Sequence, residues 1–275
     1  MTTLEEARIR AAAAYNAAAD RFDHPVNSFW DRFGRVTVGR LDLKRGHRVL
    51  DLCCGSGASA LPAAERVGPD GFVLGLDLAE NLLTLARAKA AARGLFNAEF
   101  RVGDLLEPGL PEASFDAVVC VFGIFFVPDM VGAVRNLWRL VRPGGTLAIT
   151  TWGRNFFEPA NSLFWQAVRS VRPELYKGFH PWDRIDDPAG LRALLAEAGI
   201  DQADIEPERY AHPLSSPDDW WTIACGSGYR GTIDQLSTRE RAWVRERNLD
   251  ALRQRQIVRI EASVLYAVGR RDGGP

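Results

Sequence analysis

The chain has 275 residues, with 34 Lys and Arg against 35 Asp and Glu and a formal net charge of −1; that length supports one large core, and the charge balance argues against nucleic acid as the main partner. No apolar run approaches the ~20 residues of a membrane span, and the Ala-rich start is broken by Arg8, Arg10 and Asn16 rather than forming a signal-peptide core. Four scattered cysteines, Cys53, Cys54, Cys120 and Cys225, suit neither a disulfide framework nor a metal site, so a cytoplasmic protein with no bound metal is expected.

Residues 4–22 predict a helix, with Leu4, Ala7, Ala11, Ala14 and Ala18 at three-to-four spacing. Asp23-His24-Pro25 interrupts it, and an aromatic stretch runs from Phe29-Trp30 through Phe33 to Leu41. Two readings stay open: packing against the core, or a lid (residues 1–45) in which Tyr15, Phe22 or Phe29 closes over a ligand.

The next stretch, Val49-Leu50-Asp51-Leu52-Cys53-Cys54-Gly55-Ser56-Gly57-Ala58-Ser59-Ala60, reads as strand, turn and helix start. Glycine lets backbone N–H groups approach a ligand closely, and the free N–H groups of a helix start favour polar or anionic groups. Gly55, Gly57 and Ala60 fit a loose G-x-G-x-x-A dinucleotide turn. The stretch equally fits the D-x-G-x-G-x-G pattern of S-adenosylmethionine (SAM) enzymes, with Cys53 in place of the first glycine. Cys53 and Cys54 read as small apolar fillers.

Beyond it, residues 72–77 form a strand ending in Asp77, 82–93 a helix capped by Gly94, and 98–104 a strand ending in Asp104. Residues 117–122 predict a fourth strand, 130–141 a helix, 142–145 a turn and 146–152 a fifth strand. This alternation implies a parallel sheet covered on both faces by right-handed crossovers, an α/β fold. Two insertions, about 154–185 and 214–255, interrupt it and flank a helix at 188–198 and a strand near 204–210. The last strand falls within 257–268. The expected organisation is therefore a core over 46–153 and, over 154–275, the rest of the sheet with two helical caps.

In an open parallel sheet, ligands bind beyond the carboxyl ends of the strands. A carboxylate at Asp77 can accept from both ribose hydroxyls, which separates neither NAD nor SAM. Asp104, followed by Leu105, is well placed to accept from an adenine amino group. The ordered set of the 49–57 stretch, Gly75-Leu76-Asp77-Leu78, Gly103-Asp104-Leu105, Phe115-Asp116-Ala117-Val118 and Leu140-Val141-Arg142-Pro143-Gly144-Gly145 resembles the class I SAM-dependent methyltransferases. The resemblance covers about residues 41–152. It implies a Rossmann-like sheet of seven strands with the last antiparallel, SAM as cofactor and S-adenosylhomocysteine as product. It also implies roles: Gly55 and Gly57 at the methionine and ribose, Asp51 near the amino group, Asp77 at the ribose with Leu78 beside it, Asp104 and Leu105 at the adenine, and Phe122 near the methionine. The stretch 122–129 is similar to the menaquinone and ubiquinone C-methyltransferases, from which it departs at Phe125 and Phe126.

A methyl donor that carries its own leaving group leaves the protein to align the acceptor and exclude water, with a base needed only for an acceptor that loses a proton. Among His24, His180 and His212, all near predicted loops, His180 in the first insertion is the candidate base. Phe126, Trp152, Trp182, Tyr229 and Arg230 are the candidate acceptor contacts, with Gly226 to Gly231 either a gating loop or a plain helix connection. The reading is methyl transfer to a small aromatic or apolar metabolite, at O, N or C, with a homodimer left open. The alternatives are an NAD(P)-dependent oxidoreductase, in which Asp104 has no role, and a SAM-binding protein with altered or no transfer activity. RNA or protein methylation is disfavoured by the charge balance.

Overall fold

The computed structural model describes residues 4–178 and 180–273. Helices α1 (Leu4–Phe22) and α2 (Phe29–Gly39) precede the sheet, separated by a 3-10 turn whose first residue is Pro25. Then come β1 (Arg48–Leu52), α3 (Ala60–Val67), β2 (Phe72–Asp77), α4 (Glu80–Ala92), β3 (Ala98–Val102), β4 (Phe115–Val121), α5 (Met130–Leu140) and β5 (Val141–Trp152). The chain continues with α6 (Ala160–Val171), α7 (Pro188–Glu197), β6 (Ala203–Glu208), β7 (Ala211–Pro213), α8 (Pro217–Cys225), α9 (Arg230–Ile233), α10 (Thr238–Gln254), β8 (Arg259–Glu261) and β9 (Val264–Arg270).

Seven strands form one sheet in the order β3-β2-β1-β4-β5-β9-β6, while β7 and β8 pair separately. The first five strands run parallel, and β9 is antiparallel to both β5 and β6. This is the expected Rossmann-like α/β architecture. Strand order reverses between β1 and β4, opening a crevice at their carboxyl ends.

Strand alternation sorts the core into two layers. Leu50, Leu52, Val118 and Cys120 face Phe29 and Phe33 of α2, while Val49, Ala117 and Val119 face Ala60, Ala63 and Ala64 of α3. Asp51 follows the second set and so points at the start of α3. Helix starts are fixed by side chains: Asp129 accepts from the Gly132 N–H at 2.8 Å, Asp187 from the Gly190 N–H at 2.8 Å, and Ser237 with Glu240 forms a reciprocal cap on α10.

Three sequence expectations are corrected. The fifth strand begins at Val141 rather than 146; Val141 pairs with Phe115 and Thr146 with Ala117, so residues 142–145 loop out of the ladder where Gly144 has φ +79°. The final stretch splits into β8 and β9, because residues 259–261 pair with β7 and leave the main sheet. His212 lies within β7, 3% exposed, and its Nε2 is 2.8 Å from the Val26 carbonyl oxygen.

Candidate functional site

Beyond β1 the backbone turns sharply. Cys53, Gly55 and Gly57 have φ of +58°, +53° and +89°, a region in which Cys53 pays a steric cost that glycine escapes. The turn is tied to the end of β2: Asp77 Oδ2 accepts from the Gly55 N–H and Oδ1 from the Ala79 N–H, each at 2.8 Å. Burial raises the Asp77 pKa, and these amide bonds pull it back. Asp51, 1% exposed, accepts from the Ser59 hydroxyl at 2.7 Å through Oδ2, while its Oδ1 makes no hydrogen bond of normal geometry. Burial pushes its carboxyl up to about 7, against the Ser59 bond.

A cavity of about 110 Å³ opens on this turn. Gly55, Ser56, Asp77 and Leu78 form its polar edge, and Tyr15, Phe22, Trp30, Phe122 and Phe126 its aromatic walls. Phe22 stacks on Trp30 at 5.3 Å, Tyr15 meets Phe126 edge-on at 5.6 Å, and Phe122 stacks on Trp152 at 4.0 Å. Burial raises the Tyr15 pKa, so its phenol stays protonated.

Helix α1 roofs this cavity. Asn16 accepts from the Asn81 N–H at 2.8 Å, Asp20 pairs with Arg230 at 3.0 Å, and Asp23 accepts from the Ser56 hydroxyl at 2.6 Å. At its amino end, Arg8 forms an ion pair with Asp104. Helix α2 comes in just as close: a Cβ added at Gly34 would lie 2.3 Å from the Ala58 carbonyl oxygen.

The structure brings Gly55, Asp77, Leu78, Phe122 and Phe126 to one cavity, together with Tyr15 and Phe22 of the expected lid. Asp51 and Gly57 support the turn from behind. Asp104 and Leu105 stand apart from the cavity, because Arg8 covers the acid and Leu105 is 5% exposed in the core. Phe29 is fully buried under the sheet rather than in the roof. Of the proposed acceptor contacts, Trp152 is 2% exposed and backs Phe122 from within the core. Tyr229 is also buried and donates its hydroxyl to Asn161 Oδ1 at 2.7 Å, so it is a packing residue. Arg230 is held by Asp234 at 2.9 Å and by Asp20, which leaves no free guanidinium for a substrate carboxylate. The glycines around it belong to the connection between α8 and α9: the Gly226 N–H bonds back to the Thr222 carbonyl.

Trp182 and His180 line a second, larger cavity of about 340 Å³ in the first insertion. Their rings stack at 4.5 Å, and burial lowers the His180 pKa, leaving the imidazole neutral at neutral pH. Trp182 also meets Phe125 at 5.2 Å, and Phe125 meets Phe126 at 4.9 Å, so one run of rings separates the two cavities. Sequence reasoning missed Trp30, Arg8 and Trp165; the Phe29-Trp30 pair after the Pro25 break was the available signal for the first. Among the described residues no His, Cys, Asp and Glu cluster could hold a metal, and no helix is long and apolar enough to cross a membrane.

Residues 49–145 match the family model for a methyltransferase domain. The chain is 38% identical over 138 residues to the aklanonic acid methyltransferase DauC of Streptomyces sp. (strain C5), spanning 50% of this chain and 63% of that protein. It is 32% identical over 180 residues to the demethylmenaquinone methyltransferase of Geobacillus kaustophilus, spanning 61% of this chain and 76% of that protein. The YcgJ protein of Bacillus subtilis shares the fold with a TM-score of 0.58 at 18% identity, over 88% of this chain and all of that one. Motif order, sheet topology and these similarities converge: the chain belongs to the class I SAM-dependent methyltransferases.

Proposed function

We propose that the protein transfers the methyl group of SAM to a small aromatic or apolar acceptor. The observation that carries the reading is the cavity at the β1/β4 switch point, edged by Gly55 and Asp77 and walled by aromatic rings. The residues present fit the cofactor. The unpaired buried Oδ1 of Asp51 suits an ammonium group, Asp77 suits a pair of ribose hydroxyls, and the Asp104 carboxylate suits an adenine amino group once Arg8 is displaced. Bound SAM supplies an electrophilic methyl on a sulfonium that departs as S-adenosylhomocysteine.

The chain's own contribution is binding, orientation and exclusion of water. Tyr15, Phe22, Trp30, Phe122 and Phe126 present ring faces and edges where a sulfonium and a planar acceptor meet, which favours cation and π contacts and keeps solvent out. Helix α1 roofs the cavity and is the element whose movement would widen it for a ligand of this size. For an acceptor that must lose a proton, neutral His180 is the proposed base, reached past Trp182.

The relatives named above act on aklanonic acid and on demethylmenaquinone, which supports a small-molecule acceptor here. The test is to incubate the purified protein with SAM and panels of phenols, quinols and carboxylic acids, and to quantify S-adenosylhomocysteine by mass spectrometry. Acceptor-dependent product is expected; SAM binding with no turnover on any panel would count against transfer to this class.

A further inference from the structure

Trp30 lines the cavity at the switch point, and its indole N–H is buried without an acceptor among the described residues. Aromatic rings surround it. Phe22 stacks parallel to it at 5.3 Å, and Phe29, Phe122 and Trp152 meet it at 4.6, 5.6 and 5.7 Å. None of these side chains offers a lone pair, and a π face is a weak substitute. The contacts hold the indole plane in place. A buried donor left unpaired costs stability, and that cost disappears where a ligand oxygen accepts from it.

The hydroxyls on the same wall are placed otherwise. Ser56 donates to Asp23 at 2.6 Å and Ser59 to Asp51 at 2.7 Å. The Tyr15 hydroxyl lies against the connection between α8 and α9, where a Cβ added at Gly228 would be 3.4 Å from it. Trp30 is therefore the N–H side chain that this cavity leaves for a ligand. Topology narrows which ligand. Asp77 ends β2 and Asp104 follows β3, on one side of β1, whereas Phe122 follows β4 and Trp152 ends β5, on the other. Trp30 packs on the second pair, across the turn from the groups suited to ribose and adenine.

We propose that Trp30 orients the methyl acceptor by one of its oxygens, so that the substrate is an oxygen-bearing aromatic compound whose oxygen accepts from the indole N–H. The proposal deepens the methyl-transfer reading and rests on it for the identity of the ligand. The acceptor ring lies among Phe122, Phe126 and Tyr15, which give it a plane, and the hydrogen bond from Trp30 fixes its rotation within that plane. Trp30 is thus an acceptor-orienting residue, and a hydrocarbon of the same shape lacks the group it holds.

The test uses the full chain labelled with nitrogen-15 at tryptophan, which gives one indole signal for each of its eight tryptophans. The Trp30 signal is the one missing from Trp30→Phe, a substitution that keeps a ring and removes the donor. The probes are 1-tetralone and tetralin, which share a ring system and differ by one carbonyl oxygen, each titrated with and without saturating S-adenosylhomocysteine. Tetralone is expected to move the Trp30 indole proton downfield and tetralin to leave it in place. In Trp30→Phe the ratio of tetralone to tetralin affinity is expected to fall about two- to tenfold, the net size of one neutral hydrogen bond. The affinities for tetralin and S-adenosylhomocysteine should be unchanged. No tetralone binding, no downfield movement, the same movement with tetralin, or an unchanged ratio in Trp30→Phe would overturn the proposal. S-adenosylhomocysteine that moves the signal by itself, or loses affinity in Trp30→Phe, assigns the N–H to the cofactor and also overturns it. A tetralone response at Trp30 in a parent protein that binds neither SAM nor S-adenosylhomocysteine keeps the oxygen site and defeats the methyl-transfer reading alone.

Discussion

The cavity at the β1/β4 switch point is walled by a strained backbone turn and five aromatic rings, whereas the cap cavity is walled largely by amides, carboxylates and one ammonium. In the first, position is set by the sheet: Asp77 can reach the Gly55 N–H only because β1 and β2 pair in register, Leu52 opposite Leu76. In the second, position is set by side chains of an insertion, with Glu158 holding the start of α6 and Asp183 the turn at 181–184. A backbone-built site tolerates little change and suits a constant cofactor. A side-chain-built site can change its ligand without disturbing the fold.

Substitution separates the two regions. Asp77→Ala should weaken SAM binding by about 1.5–3 kcal/mol, roughly 10- to 150-fold, by removing the acceptor that holds both the turn and the ribose. Calorimetry with SAM reads the loss, and unchanged affinity would break the distinction. Gly34→Ala places a methyl group 2.3 Å from the Ala58 carbonyl oxygen and should cost about 1–3 kcal/mol. At roughly 2–4 °C per kcal/mol for a chain of this size, the melting temperature should fall by several degrees, whereas Lys177→Met at the exposed rim should leave it unchanged.

Asp51 gives a smaller, pH-dependent effect. Its folded pKa, raised to about 7, means that the fold binds more protons than the unfolded chain between pH ~4 and 7, so this group's contribution to stability falls as pH rises through that window. An ammonium docked at Oδ1 favours the carboxylate instead and expels the proton. Calorimetry at pH 6.5 in buffers of different ionisation enthalpy should therefore detect release of up to about three-quarters of a proton on SAM binding, and none in Asp51→Asn. The smallest effect concerns the roof. Arg8 and Asp104 are 28% and 11% exposed, so their ion pair is only partly screened. Arg8→Ala should free Asp104 and tighten SAM two- to fivefold, about 0.4–1 kcal/mol, with a weaker dependence on salt; unchanged or looser binding would mean that Arg8 does not compete with the cofactor.

The division between the cavities also explains what was legible in the sequence. The alternation of strands with helices and the turn at 53–59 were readable because strand periodicity and glycine-bearing turns are local signals, and Asp77 and Phe122 fall at strand ends wherever the helices pack. Arg8 and Asp104 lie far apart in sequence on unrelated elements, and nothing local couples them. Trp152 and Tyr229 looked like acceptor contacts because aromatic residues crowd the insertions. Composition does not say which face of a ring is covered, and Phe122 and Asn161 cover these two from within. Arg230 looked free until Asp20, on the roof helix, came against it.

The most direct test of the central claim is calorimetry of the purified chain with SAM, S-adenosylhomocysteine and NAD, alongside Asp77→Ala. Saturable binding of the first two, greatly weakened by the substitution and absent for NAD, is the predicted result. Binding of NAD without SAM, or SAM affinity indifferent to Asp77, would contradict it.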